Sequence, residues 1–333
     1  MALASVRPPL DFVRHLSARP IGFMLHRHSL ILFTLFMFAS CSRNASAPTQ
    51  LTQNAFVTRD QLEFGVRRWN DGSDPKTVVI GVHGIAGVSK DFENLAEALE
   101  KSGPEIALVA FNTRGQGMDP REEKRGDIGH RERWLEDLDD FTNELRKEHP
   151  TAKIVWAGES MGALIVLHSY ARSQNCDAII LSSPIATIND DVSFFKRLAL
   201  SALAKIFPRF KLSLQTLSGK QDVKVTSATT HEKQVAKNPW HVQHFTLRLL
   251  ENLAEMIEEM DRAGQSLNVP TLVLSAGRDV FIESKDTEAF ARNLPAEARV
   301  TYRNYPESYP LLFYDEGREQ VIADTLDWLQ KLP

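Results

Sequence analysis

The sequence has few cysteines and no long apolar or basic run. Two cysteines among 333 residues cannot build a disulfide framework or a four-cysteine zinc site. No Lys/Arg-rich run marks a nucleic-acid surface, and 39 basic against 43 acidic residues give a formal net charge of only −4. The composition excludes collagen, coiled coils and polytopic membrane proteins. It is that of a globular protein, with 43% apolar and 25% charged residues.

The amino-terminal region is typical of an exported protein. Arg27 precedes an apolar run of ten residues, Leu30–Ala39, too short to cross about 30 Å of hydrocarbon but as long as a signal-peptide core. The run leads into a segment that resembles a bacterial lipoprotein cleavage box, which predicts lipidation of Cys41 and attachment to the cell envelope. The alternatives are a plain secretory signal and an uncleaved anchor. Translation starting at Met24 rather than Met1 would suit this leader.

From residue 60 the pattern is that of an α/β domain, preceded by the leader (1–41) and a polar stretch (42–59) that predicts a flexible tether. Apolar runs of strand length alternate with helical periodicity, which predicts an open, mostly parallel sheet with helices on both faces. The first helix is expected to be capped by Ser89. The predicted strands are Thr77–Val82, Ile106–Phe111, Lys153–Ala157, Ala178–Leu181, Thr271–Ser275 and Val300–Tyr302.

Between about 185 and 265 the alternation stops. Helical periodicity without a convincing strand predicts a helical cap over one end of the sheet. Within it, residues 194–212 contain cations and apolar side chains but no acid. Such a segment either lies against anionic lipid headgroups or packs its apolar face on the domain beneath.

The motif Gly158-Glu159-Ser160-Met161-Gly162 follows a predicted strand and precedes a predicted helix. At a sharp strand-to-helix turn a serine hydroxyl is exposed, and glycines two residues away on each side avoid collisions. The amino end of the helix favours a developing negative charge. This context indicates that Ser160 is a nucleophile.

A second turn, His83-Gly84-Ile85, follows the first central strand. Its small residues allow a backbone N–H to point at a reacting carbonyl oxygen. The N–H groups of Ile85 and Met161 would form the oxyanion hole. We expect His83 to brace this turn rather than to transfer protons.

With these motifs the chain resembles α/β-hydrolases of the monoacylglycerol lipase and lysophospholipase type, a serine aminopeptidase-like group, over residues 60–333. The resemblance also rests on Arg114-Gly115-Gln116-Gly117 and Gly277-Arg278-Asp279. The family usually has histidine where Gln116 stands. The helical cap and an acyl-chain substrate are further implications of the resemblance.

The orienting acid is expected at Asp279, in the loop after a predicted strand. Catalytic residues in open α/β sheets lie beyond the carboxyl ends of strands. Asp279 also follows Ser160, in the Ser, Asp, His chain order of this fold.

The histidine that should complete the site is missing. In the family it stands in the loop after the last strand, where this chain has Pro310, and no histidine occurs after His244. Three interpretations remain: binding without catalysis, a base supplied from the cap by His241 or His244, or an isolated substitution in an active lineage. The last is favoured because the rest of the machinery is present.

These observations predict a serine hydrolase of carboxylic esters that acts through an acyl-serine intermediate and is impaired at Pro310. The alternative is a catalytically dead lipid- or ligand-binding protein. Monoacylglycerol- or lysophospholipid-like substrates are implied by the resemblance. No metal, organic cofactor or nucleic acid is expected, and the membrane is expected as a partner through Cys41.

Overall fold

The computed structural model of the chain describes residues 47–72, 74–186, 201–213, 216, 224–227, 242–279 and 282–333. The predicted leader, the lipidation site Cys41, the start at Met24 and the cap residue His241 lie outside these ranges and stay predictions. Within them, no helix is both long enough and apolar enough to cross a bilayer.

The strands of the described chain form a long sheet and a short ribbon. They are β1 (Gln50–Leu51), β2 (Ala55–Val57), β3 (Glu63–Trp69), β4 (Thr77–Val82), β5 (Ile106–Phe111), β6 (Lys153–Glu159), β7 (Ala178–Ser182), β8 (Lys211–Ser213), β9 (His244–Thr246), β10 (Thr271–Ala276) and β11 (Thr301–Tyr305). The nine-stranded sheet has the order β1-β2-β3-β5-β4-β6-β7-β10-β11. Its first four strands pair antiparallel, and all pairs from β5 to β11 are parallel.

The helices are α1 (Glu93–Ser102), α2 (Glu132–Glu148), α3 (Met161–Ser173), α4 (Leu247–Glu258), α5 (Met260–Gly264), α6 (Ser284–Asn293) and α7 (Arg318–Gln330). Residues 201–206 are also helical. Short 3₁₀ turns occur at Ser89–Phe92, Glu122–Lys124 and Ala296–Ala298.

Successive residues of the central strands face two separate cores. On β4, Val78 and Ile80 join the core shared with α2 to α6, whereas Val79 joins the core shared with α1 and α7. A strand buried on both faces needs a continuous apolar run, which is why the sequence pattern located these strands. The predicted α/β fold with a mostly parallel sheet is confirmed.

Residues 50–57 belong to the sheet and not to a flexible tether, so the predicted tether of residues 42–59 extends too far. Strands β1 and β2 pair with each other, and β2 pairs with β3. The segment is ordered because Phe56 is fully buried, with its ring centroid 5.2 Å from that of Phe141. Burial of this one large aromatic side chain thus holds an antiparallel edge on the sheet.

The predicted cap region of 185–265 contains strands that its sequence pattern did not indicate. Strands β8 and β9 form a two-stranded antiparallel ribbon. Each has only three residues, which is too short to show an alternating pattern. Helices α4 and α5 pack on the main domain, where Leu249, Met256 and Met260 join the core around α3.

The predicted helix cap at Ser89 is wrong. Helix α1 begins at Glu93, after the 3₁₀ turn. The Ser89 hydroxyl is buried without a hydrogen-bond partner among the described residues. Asp91 stabilises the turn instead, because its carboxylate accepts a hydrogen bond of 2.9 Å from the Val88 N–H.

Candidate active site

The carboxyl ends of the parallel strands meet at one edge of the sheet. Strands β4, β6, β7, β10 and β11 all point to this edge, where open α/β sheets bind their ligands. The residues that follow these strands directly are His83-Gly84-Ile85, Ser160, Ser183, Gly277-Arg278-Asp279 and the loop 306–310. The fold therefore gathers the predicted site residues at one edge.

Ser160 lies between β6 and α3 in a strained backbone conformation. Its φ is 51° and its ψ is −113°, a region that costs a non-glycine residue on the order of 1–3 kcal/mol. A Cβ on Gly158 would lie 2.4 Å from the Gly162 carbonyl oxygen, and one on Gly162 would lie 1.9 Å from that of Val82. Both positions therefore require glycine. Within the described chain the half-buried Ser160 hydroxyl makes no hydrogen bond.

The turn after β4 lies directly against Ser160. A Cβ on Gly84 would be 3.4 Å from the Ser160 Cβ, and Ala86 adopts a φ of 60° that tightens the turn. In the part of the chain described, the backbone N–H groups of Ile85 and Met161 have no acceptor. Two unpaired donors beside a serine are the chemical requirement of an oxyanion hole.

Gln116 bridges the two turns that carry these amides. Its Oε1 accepts a hydrogen bond of 2.8 Å from the Ala86 N–H, and its Nε2 lies 3.6 Å from the Met161 sulfur. The side chain is fully buried. Gly115, the preceding residue, has a φ of 71°, a left-handed conformation that glycine adopts without strain. The sequence marked Gln116 only as a departure from the family pattern, because no periodicity shows which backbone group a buried amide contacts.

His83 braces its turn as a neutral side chain. Its Nε2 accepts a hydrogen bond of 3.0 Å from the Thr113 N–H, so the proton lies on Nδ1, which donates to the Gly84 carbonyl at 2.9 Å. Full burial lowers the pKa of His83 to about 4. The ring is therefore uncharged near neutral pH and holds Gly84 in place.

Two buried carboxyl groups lie behind the Gly84 turn, and sequence reasoning missed them. Burial raises the pKa of Asp91 to about 7. Burial and the nearby Asp91 raise the pKa of Glu159 well above its ordinary value. Glu159 Oε1 has no partner among the described residues and would lie 3.5 Å from a Cβ on Gly84. The direction of this shift favours the neutral form of Glu159, which places less negative charge near the two candidate oxyanion donors.

The loop of Asp279 is joined to the loop that should carry the base. The Gly277 N–H donates to the Tyr305 carbonyl at 2.9 Å, and the Arg278 N–H donates to the Ser308 carbonyl at 3.0 Å. A Cβ on Gly277 would lie 2.3 Å from the Pro306 carbonyl oxygen, so only glycine allows this approach. Asp279 itself is half-buried. The expected acid thus lies in a loop fastened to that of Pro310.

Pro310 is connected to Ser160 through the end of β7. Its carbonyl accepts a hydrogen bond of 2.9 Å from the Ser183 hydroxyl. The neighbouring Ser182 carbonyl accepts one of 2.9 Å from the Ser160 N–H. The proline ring offers no group that could take a proton from a serine hydroxyl.

No described histidine ring makes a hydrogen bond with Ser160. His149 bonds Asp71, and His168 bonds the Met256 carbonyl at 2.8 Å. His244 lies exposed in the β8–β9 ribbon, and its ring makes no hydrogen bond within the described part of the chain. The structure thus shows no contact between this cap histidine and the nucleophile.

A short segment of the cap region, 224–227, is fastened to the loop that carries Pro310. The Leu311 N–H donates to the Val225 carbonyl at 2.8 Å. Asp315 Oδ1 accepts from the backbone N–H of Ser227 at 2.7 Å and from its hydroxyl at 2.5 Å. Although burial opposes it, these hydrogen bonds hold the pKa of Asp315 below its ordinary value. The segment fixes the loop that faces the end of β7.

One grouping of possible metal ligands occurs in the described residues, at the opposite edge of the sheet. Asp71, Glu148 and His149 place ligand atoms within 4.8 Å of one another. The Arg68 guanidinium lies among them, 2.5 Å from Asp71 and 2.8 Å from Glu148. It forms ion pairs with both carboxylates and fills the space between them with a positive charge, so the arrangement fits an ion-pair network better than a cation site.

Comparison with known proteins gives a consistent family relationship. The sequence model of the family described as serine aminopeptidase, S33, matches residues 73–317. Monoglyceride lipase of Rattus norvegicus is 24% identical over 298 residues, covering 86% of this chain and 95% of the rat protein. Monoacylglycerol lipase of Mycolicibacterium smegmatis is 24% identical over 270 residues, covering 78% and 90%.

The same relationship appears in solved structures. A soluble variant of monoglyceride lipase from Saccharomyces cerevisiae, crystallised with a substrate analogue, superposes with a TM-score of 0.70 at 20% identity. The match covers 87% of this chain and 97% of the yeast chain. At this identity the likeness establishes the fold.

Proposed function

Because the chain belongs to the serine aminopeptidase S33 family of α/β-hydrolases, we propose that it is a serine hydrolase of acyl esters whose turnover is impaired at Pro310. The substrates would be monoacylglycerol-like esters, as the names of the relatives suggest, or lysophospholipid-like esters, as the sequence resemblance implies. The observation that carries the proposal is the strained Ser160 beside two backbone N–H groups without an acceptor.

The proposed reaction proceeds through an acyl-serine. The Ser160 oxygen attacks the ester carbonyl carbon, and the resulting oxyanion is held by the N–H groups of Ile85 and Met161. Collapse breaks the bond to the alcohol, which leaves with a proton from water. A second water then attacks the acyl-serine and releases the fatty acid. Without the histidine, solvent must accept the first proton, and Asp279 has no imidazole to orient.

The loss in turnover rate that a missing base causes can be estimated. Removal of the histidine from a serine, histidine and aspartate unit costs on the order of 10⁶ in kcat, while the oxyanion hole and binding retain roughly 10³–10⁴ over water. The proposed enzyme would therefore hydrolyse activated esters slowly.

A second function is favoured by one observation. Pro310 stands where a base is expected, while the surrounding turns are intact. A protein that binds acyl ligands without cleaving them would keep the pocket geometry and need no base. We retain this non-catalytic binding protein as the alternative.

The test is labelling of Ser160 with an active-site-directed fluorophosphonate, combined with p-nitrophenyl ester hydrolysis. The enzyme proposal expects slow labelling and slow hydrolysis, both abolished by Ser160→Ala. Equal activity of the unmodified chain and Ser160→Ala, together with tight binding of acyl ligands, would support the binding protein.

We also propose that Cys41 is lipidated and attaches the domain to a bacterial envelope membrane, since the preceding residues resemble a lipoprotein cleavage box. Fractionation of cells that express Cys41→Ser tests this. Loss of membrane association is expected, and retention would favour an uncleaved anchor.

A further inference from the structure

Two acidic side chains lie behind the turn of residues 84–88, which we call the oxyanion turn. Both are buried, since Glu159 is only 2% exposed and Asp91 only 5%. Glu159 Oε1 would lie 3.5 Å from a Cβ on Gly84, at the start of the turn. Asp91 Oδ2 accepts a hydrogen bond of 2.9 Å from the Val88 N–H, at its end. One carboxyl group therefore lies at each end of the turn that presents a candidate oxyanion donor.

The contact between Asp91 and the oxyanion turn leaves little free space. A Cβ on Gly87 would lie 2.5 Å from Asp91 Oδ2, 3.0 Å from the Gly84 carbonyl oxygen and 3.2 Å from His83 Nδ1. The Gly87 N–H also donates to the Gly84 carbonyl at 3.1 Å. Because a close-packed interior transmits strain, a shift of the Asp91 carboxyl group moves the backbone of the turn.

The groups that face the two buried carboxyls supply no positive charge. His83 is neutral because full burial lowers its pKa to about 4. Burial raises the pKa of Tyr314, and neighbouring carboxylates raise it further, so this phenol keeps its proton. The ammonium of Lys90, a half-exposed side chain, lies 3.5 Å from the Glu93 carboxylate. Within the described part of the chain, no lysine or arginine forms an ion pair with either buried carboxyl.

Two neighbouring buried carboxyl groups without a cation oppose each other's ionisation. Burial raises the pKa of Asp91 to about 7, and burial together with Asp91 raises the pKa of Glu159 well above its ordinary value. A negative charge that forms here lies behind the turn of the Ile85 N–H. It opposes the negative charge that attack by Ser160 places on the carbonyl oxygen of an ester.

We propose that Asp91 and Glu159 are positioning residues that form a proton-sharing pair behind the oxyanion turn, so that Ser160 is more reactive when the pair is protonated than when it is ionised. The pair acts through the turn and does not touch the substrate. Because reactivity is measured at Ser160, this part of the proposal rests on the proposed function. The response of the turn to the charge of the pair does not.

The first experiment follows the turn without any catalysis. The full chain is labelled with ¹³C at the δ1-methyl groups of isoleucine, and Ile85→Val identifies the signal of Ile85. That signal should move between pH 5.5 and 9 with a midpoint near pH 7. The double variant Asp91→Asn/Glu159→Gln keeps both volumes and should abolish the movement. Glu97→Gln is the matched control, because the Glu97 side chain is 54% exposed on α1.

The second experiment measures the rate of fluorophosphonate labelling of Ser160 over the same pH range. The ratio of the rate in the double variant to that in the unmodified chain isolates the pair, because ionisation of the serine affects both chains equally. One buried charge close to the donors should make this ratio rise about tenfold between pH 6 and 9. The ratio for Glu97→Gln should stay constant.

Two results would overturn the proposal. The Ile85 signal of the unmodified chain could stay fixed over this range, or move equally in the double variant. The labelling ratio could be independent of pH, in which case the charge of the pair does not affect Ser160. Absence of labelling in every chain and at every pH would refute the proposed function instead, and the Ile85 titration alone would then decide whether the pair controls the turn.

Discussion

The Ser183 hydroxyl donates a hydrogen bond of 2.9 Å to the carbonyl of Pro310. This bond uses the backbone of residue 310, so it does not depend on the side chain there. The loop can therefore keep its position beside the end of β7 whichever residue stands at 310. If residue 310 is the base position, as proposed, the missing base is a change of one side chain in a loop that keeps this contact.

Replacement of Pro310 by histidine should raise activity. General acid–base catalysis alone contributes typically 10²–10⁴-fold. We therefore expect Pro310→His to recover that part of the roughly 10⁶ in kcat that a missing histidine costs, both on p-nitrophenyl esters and in the rate of fluorophosphonate labelling. Pro310→Ala is the matched control, because it removes the ring without adding a base. If Pro310→His gains no more than Pro310→Ala, residue 310 is not the base position.

Replacement of Gln116 by methionine should slow labelling of Ser160. The change keeps the buried volume but removes the acceptor for the Ala86 N–H. Loss of one such hydrogen bond costs about 1 kcal/mol. If that loss lets the turn of Ile85 and Ala86 fluctuate, the rate of Ser160 labelling should fall roughly fivefold. Gln330→Met, at an exposed position, should leave the rate unchanged. Unaltered labelling in Gln116→Met would remove Gln116 from the positioning of the oxyanion turn.

Replacement of Gly162 by alanine should destabilise the fold. The added Cβ would lie 1.9 Å from the Val82 carbonyl oxygen and 2.9 Å from that of His83, and both are backbone atoms. We expect a loss of about 3 kcal/mol or more in the free energy of unfolding. Gly129→Ala is the matched control, because a Cβ there meets nothing within 4 Å. Urea denaturation compares the two, and equal stability would contradict the tight turn.

Replacement of Asp91 by asparagine should change the pH dependence of stability. Burial raises the pKa of Asp91 to about 7 in the folded state, against 3.8 as its ordinary value. Between these values the folded state binds more protons than the unfolded state, so this group makes stability fall as the pH rises from about 4 to 7. The variant lacks this contribution and retains an acceptor for the Val88 N–H.

The measurement for this prediction is urea denaturation at pH 4, 5.5 and 7. Relative to the unmodified chain, Asp91→Asn should become steadily more stable as the pH rises, by about 1.4 kcal/mol for each unit of the pKa difference that is crossed. Asp74→Asn, at an exposed position, controls for loss of one surface charge. A stability difference that does not vary with pH would rule out a raised pKa at Asp91.

The sequence predicts the central strands and the loops after them because strands buried on both faces leave an unmistakable apolar run. The strands Thr77–Val82 and Ile106–Phe111 have the predicted bounds, and the serine turn follows β6 as the glycine spacing indicates. Short or partly polar elements leave no such pattern. For that reason β1, β2, β3 and the β8–β9 ribbon were not predicted.

The features of the candidate site also fall into two groups, those that the sequence shows and those that only the structure shows. Ser160, Asp279 and the unusual Pro310 are visible in the sequence because each follows a recognisable strand. The bridge from Gln116 to Ala86, the carboxyl pair of Asp91 and Glu159, and the loop contacts of residues 224–227 are not.

By itself the sequence determined the α/β fold, the position of the serine turn after β6 and the identity of the residue at the expected base position, since these depend on local pattern and chain order. Only the tertiary structure decided which buried groups meet behind the oxyanion turn and which segment fastens the loop of Pro310. Those properties depend on contacts between segments far apart in the chain, and burial, hydrogen bonding and charge become definite only when the segments pack.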